Sequence, residues 1–220
     1  MNLDDRIKIQ FPVLIVTLLS VLIGLDFADL VGTMRARMTL WPLDIETLRT
    51  WGQVFTMASF CVSTWITYAH LGISRLRIPA FADSMVVFLI PLMVLFGNSL
   101  VGQREIWPWF CFASAYLVVA VGAWQWQVRI VLADNELASF ARLASPFGPL
   151  LTFVYPGIVF YAVAGWADSH GLFSPVAEAL ACMVGIPTAS LTAWLFVREW
   201  RTAVAQAQVS EPQAATVAAG

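Results

Sequence analysis

Charge is what this sequence has least of. Of 220 residues 12 are basic and 14 acidic, and Lys8 is the only lysine. A soluble domain carries about a quarter charged residues, so a charged fraction of 12% excludes an ordinary cytosolic protein. A net charge of −2 excludes a basic nucleic-acid binder, and a 60% hydrophobic content excludes a disordered chain or a coiled coil. Histidine is almost absent. His70 and His170 fall on opposite sides of the predicted membrane segments, which excludes a bis-histidine haem between them. Cys61, Cys111 and Cys182 lie far apart inside apolar segments without CxxC spacing, and read as small buried hydrophobes rather than metal or redox ligands. There is no HExxH, Walker loop, GxSxG or GxGxxG. The expectation is therefore a non-enzyme with no metal, no cofactor and no nucleic-acid partner. Asp134, Asn135 and Glu136 cluster in a connector, where a solvated polar loop accounts for them.

What the chain does have is long apolar runs, with a mean hydropathy of +0.77. A hydrocarbon core about 30 Å thick takes roughly 20 apolar residues per helix. Six segments qualify, about 9–32, 50–71, 80–101, 107–128, 147–167 and 175–197. The predicted fold is all-α, a polytopic membrane protein with one six-helix domain over 1–201 and a flexible tail over 202–220. The first run is too long for a signal-peptide core and lacks a small-residue cleavage site, so it is expected to be a retained helix. With the N-terminus inside, the inner loops carry eight basic residues (Arg6, Lys8, Arg75, Arg77, Arg129, Arg142, Arg198, Arg201) against four outside (Arg35, Arg37, Arg49, Arg104). The positive-inside rule then places both termini in the cytoplasm. Trp41, Trp51, Trp107, Trp109 and Trp166 fall at outer ends and Trp124, Trp126, Trp194 and Trp200 at inner ends, the pattern of two interfacial belts.

The halves show coincidences at a shift of 96 residues: Pro12 with Pro108, Gly52 with Gly148, Thr56 with Thr152, Pro79 with Pro175, and Ile90-Pro91 with Ile186-Pro187. Three helices per half would set the copies in opposite orientations, a 3+3 inverted repeat. Pro91, Pro156 and Pro187 each sit near mid-membrane, where a missing amide favours a kink or hinge but also occurs in static bundles.

Four acids lie within the spans, and intramembrane charge is a functional candidate by default. Asp26, Asp29 and Glu178 lie near outer ends and Asp83 at an inner end. The first three could form an outer acidic vestibule that concentrates cations; pairing with Arg35 or Arg37, or headgroup exposure, explains them equally. In the second helix Gln53, Thr56, Ser63, Thr67 and His70 fall within about a 100° arc, with Phe60 on the same arc. A polar stripe interrupted by one aromatic fits a water path with a constriction; the bland alternative is interhelical hydrogen bonding. Ala177, Ala181, Gly185, Ala189 and Ala193 place small residues every fourth position of the sixth helix, a ridge that admits close approach of an internal helix or of another protomer.

Two resemblances accompany these patterns. Ile23-Gly24-Leu25, Asp29-Leu30, Arg35, Arg37 and Trp41-Pro42 resemble the opening of uncharacterised six-helix bacterial membrane proteins, over about a quarter of the chain. This implies a bacterial inner membrane and no activity. Ala80-Phe81-Ala82-Asp83-Ser84 is similar to the Phe-Ser-Asp signature of the lysosomal-type potassium channel family. Here Ala82 replaces the serine, and the signature opens the third helix rather than the first, so no pore residues carry over. Three functions follow as expectations. The first is a homo-oligomeric channel or pore for ions or small solutes. The second is a structural or assembly subunit bound to a partner membrane protein. The third is a small-solute carrier.

Overall fold

A computed structural model describes residues 3–37, 44–73, 81–133, 149–195, 197–198 and 201. Every regular element among them is a helix. The elements are α1 (Leu3–Arg37), α2 (Ile45–Ile73), α3 (Phe81–Leu100), α4 (Trp107–Ala133), α5 (Pro149–Ser169) and α6 (Pro175–Met183), the last continuing as helix over 185–195. Trp41, Trp200, Arg75, Arg77, the 134–136 cluster, Arg142 and the 202–220 tail lie outside the described residues, as do the side chains of His70 and Asp83.

The helix ends follow local chemistry. Asp44 accepts the Thr47 amide at 2.8 Å and starts α2; this hydrogen bonding holds its carboxyl below the usual aspartate range. Ser174 caps α6 through the Ala177 amide, with Pro175 in the first turn. Gly171, at φ +68°, closes α5: Leu172 N–H donates to Ala167 O and Gly171 N–H to Asp168 O, both at 2.9 Å. The chain continues helically through Pro91 and Pro156. At Pro187 the absent amide leaves the Met183 carbonyl without its helical donor, and α6 breaks one residue later at Val184, whose amide bonds back only three residues to Ala181.

The helices neighbour one another in the order α5–α4–α3–α1–α2–α6, with α4–α5 and α2–α6 the most extensive interfaces. α5 meets Pro175–Met183 only slightly, and through Tyr161 and Gly157 it approaches Gly185 and Thr188 of the helix after the break.

The outside of this bundle is apolar. Val13, Leu14, Val21, Leu25, Leu92, Phe96, Val159, Val163 and Leu180 are all exposed, while Asp26, Gln53, Thr56 and Asn98 are buried. Such a distribution would be unstable in water and is what a hydrocarbon solvent selects. Three helical stretches, Val13–Arg37, Trp107–Trp126 and Pro175–Leu195, are long and apolar enough to cross a membrane. The chain is a membrane-embedded helical protein.

The small-residue ridge faces inward. Ala181, Gly185, Ala189 and Ala193 are buried, Ala177 is half-buried, and α6 lies against α2 of the same chain. At Gly185 a methyl group would overlap Thr56 and come 2.6 Å from the Tyr161 hydroxyl; at Gly52 it would come 2.9 Å from Cys182 Cβ. The interfacial-belt expectation needs correction at two tryptophans. Trp107, Trp126, Trp166 and Trp194 are exposed at the surface, but Trp109 and Trp124 are buried in the bundle. Trp109 packs edge-on against Tyr161, with ring centroids 5.7 Å apart.

Candidate functional site

The polar stripe of α2 faces the protein interior and divides at Phe60. Towards the N-terminal end of α2 its groups are committed to holding helices together. Gln53 Oε1 accepts the Gly102 amide at 2.9 Å, fixing the turn that leaves α3, and Gly102 holds φ +70° there. Thr56 donates to the Cys182 carbonyl at 2.6 Å, across the gap that Gly185 leaves open. Both side chains are buried within the protomer, so neither faces an axis between copies. Phe60, also buried, stacks on Tyr116 of α4 with ring centroids 4.8 Å apart.

Below that stack the stripe opens into a cavity of about 90 Å³ among α2, α4, α5 and α6. Phe60 and Tyr116 meet at its wall, Ser63 and Thr67 belong to α2, and Thr188 and Thr192 to the helix after the α6 break. Trp124 and Val154 line it from α4 and α5. Among the described residues no charged side chain lines it. Its hydroxyls are largely spent as donors: Ser63 to Phe60 O, Thr188 to Val184 O and Thr192 to Thr188 O, while Thr64 and Tyr116 bond each other. A hydroxyl that gives its proton to its own helix keeps its lone pairs. The cavity thus offers acceptors and aromatic faces.

The expected acidic vestibule is not assembled. Asp29 is exposed on α1, but Asp26 is fully buried. Glu178 pairs with Arg49 at 2.9 Å rather than with Arg35 or Arg37, both side chains being mostly buried. Asp168, just beyond the predicted fifth span, joins them. Burial and then the adjacent Glu178 carboxylate push its carboxyl above the usual aspartate range, with the Trp107 amide and Arg49 acting against this. Arg37, which the sequence offered as a loop charge and as a partner for the outer acids, donates instead to the Ser99 and Val101 carbonyls at 3.0 and 2.6 Å, satisfying the end of α3.

Sequence reasoning thus located Phe60, Ser63 and Thr67 but missed Tyr116, Trp124, Thr188 and Thr192. Thr188 and Thr192 had a signal, a four-residue spacing beside the small-residue ridge. Tyr116 had none. Among the described residues no group of three or more His, Cys, Asp or Glu side chains could hold a metal ion. Comparison with known proteins finds no matching family model, curated protein or solved structure.

Proposed function

We propose that this chain is a non-catalytic inner-membrane carrier for a small uncharged solute with hydrogen-bond donors. The observation that carries this reading is the cavity inside the bundle, bordered by the Phe60–Tyr116 stack and lined, among the described residues, by apolar side chains and hydroxyl acceptors with no charged group. Its volume of about 90 Å³ suits a solute of a few heavy atoms or about three waters. The helix break at Val184 beside Thr188 supplies the discontinuity that alternating access uses. In this reading the chain crosses a bacterial inner membrane six times with both termini cytoplasmic. At about 1.5 Å rise per residue the 29 residues of α2, 20 of α3 and 21 of α5 are long enough to join the three apolar spans. The lower hydropathy of α2 follows from a stripe that faces protein rather than lipid. An inverted repeat draws support from the sequence coincidences and none from the helix packing.

The test is uptake of labelled glycerol by reconstituted vesicles. A carrier gives saturable uptake, and replacing Thr188 and Thr192 together with Val raises KM about tenfold by removing acceptors. Flux that does not saturate, and that rises in Phe60→Ala, favours the channel reading, with its path through the protomer. The subunit reading has its own observation, a surface groove of about 520 Å³ between α3 and α4 lined by Leu92, Phe96, Trp107 and Cys111. Absence of flux for glycerol, urea and ions, with a distinct membrane protein co-purifying stoichiometrically, overturns the carrier in its favour. Self-association into a ring with flux would instead support a homo-oligomeric pore.

A further inference from the structure

The most anomalous polar groups lie away from the cavity, where α1, α2 and α3 meet. Asp26 is fully buried, and neither carboxylate oxygen has a hydrogen-bond partner among the described residues. Asn98 of α3, equally buried, donates from Nδ2 to the Asp26 backbone carbonyl at 3.0 Å. Its Oδ1 is left without a partner among the described residues. Two residues linked across a helix interface therefore present three buried, unpaired oxygens.

No basic side chain among the described residues pairs with them. Arg37 is engaged by the Ser99 and Val101 carbonyls, and Arg49 by Glu178. Of the buried polar residues on α2, Thr56 donates to Cys182 O, Thr64 bonds Tyr116, and Gln53 accepts the Gly102 amide while its Nε2 has no partner among the described residues. The titratable neighbours are Asp29 on α1, of the same sign, and the Cys61 thiol on α2; α3 contributes none among the described side chains. A buried carboxylate left unpaired carries a desolvation penalty too large for a folded bundle to tolerate without a compensating charge. What is missing is one positive charge, supplied by something that oxygen atoms bind.

We propose that Asp26 and Asn98 form a binding site for one small monovalent cation, a sodium ion or a proton. Hard oxygen donors select a hard cation. A single formal negative charge matches a single positive one, whereas a divalent ion would leave net charge in the membrane interior. The Asn98 hydrogen bond ties α3 to α1, so the site is positioned before the ion arrives. This site stands independently of what the cavity carries.

Thermal unfolding of the purified protein in detergent tests it, with choline as the inert cation. In the sodium arm the pH is held alkaline while sodium replaces choline; in the proton arm choline is kept and the pH is lowered. Wild type gains Tm in one arm, because a ligand bound only by the folded state stabilises it in proportion to the logarithm of its concentration. Asp26→Asn abolishes that gain and is more stable than wild type in alkaline choline, since its neutral amide needs no counter-charge. Asn98→Ala moves the midpoint of the response to about tenfold higher cation concentration. The arm that responds identifies the ion. Equal responses of wild type and Asp26→Asn in both arms overturn the proposal. If Asp26→Asn does not fold, infrared difference spectra of intact wild type decide: a carboxyl band that shifts with sodium or pH supports the site, and an unchanged band overturns it.

Discussion

At Gly185 a single missing methyl lets α6 reach α2. The space is filled by Thr56 and by the Tyr161 hydroxyl, so Gly185→Ala forces both aside; overpacking of this kind costs about 1–3 kcal/mol. Denaturant unfolding in detergent should show that loss, and Gly122→Ala, with no atom within 4 Å of the added carbon, should not. Asp168 gives a prediction with a definite sign. Its folded-state carboxyl is raised by burial and by Glu178, so the charged form is disfavoured in the fold. The destabilising contribution is fully present above the raised value and fades as pH falls through it, because the folded state then takes up the proton more readily than the unfolded chain. Asp168→Asn should accordingly raise Tm at alkaline pH, with the difference shrinking on acidification. Asp44 has the opposite sign. Its depressed carboxyl contributes cap stability above the ordinary aspartate range, lost as pH falls through the folded value.

Elements in this bundle are stopped and joined by side chains from other elements. α3 ends where Gly102 turns, and both its amide and the preceding carbonyls are satisfied from outside, by Gln53 of α2 and Arg37 of α1. Gln53→Leu strands the Gly102 amide in the interior, at a cost of about 1–3 kcal/mol measurable by thermal unfolding. The sequence put Gln53 on a shared face of α2 but left open whether that face meets water or a neighbouring helix, since a stripe has the same periodicity in either case. The lower stripe was legible for what it borders: Ser63 and Thr67 do line an open space. Its far wall comes from Thr188 and Thr192, more than 120 positions away, and no local pattern ties them to α2.

Over the described residues the surface is apolar like the core, with a few polar groups buried between helices. That arrangement makes the cysteines a probe of the fold: Cys111 is exposed, while Cys61 and Cys182 are buried. A membrane-permeant maleimide should add one label to the folded protein and three after unfolding, read by mass spectrometry. Brominated lipids should quench Trp107, Trp126, Trp166 and Trp194 but spare Trp109 and Trp124, for which position in the sequence pointed to the interface and packing decided otherwise.

The sequence by itself determined the class. Sparse charge and long apolar runs leave a helical membrane protein, because hydropathy and length are local sums that no tertiary contact alters. It also located Asp26 as an acid inside a span. Only the tertiary structure decided that Asp26 is buried against Asn98, that Glu178 belongs to Arg49, and that the α6 ridge is buried beside α2 of the same chain. The physical reason is the same in each case. Helical periodicity says which residues share a face, but the helix that face meets is set by how the whole bundle fits together.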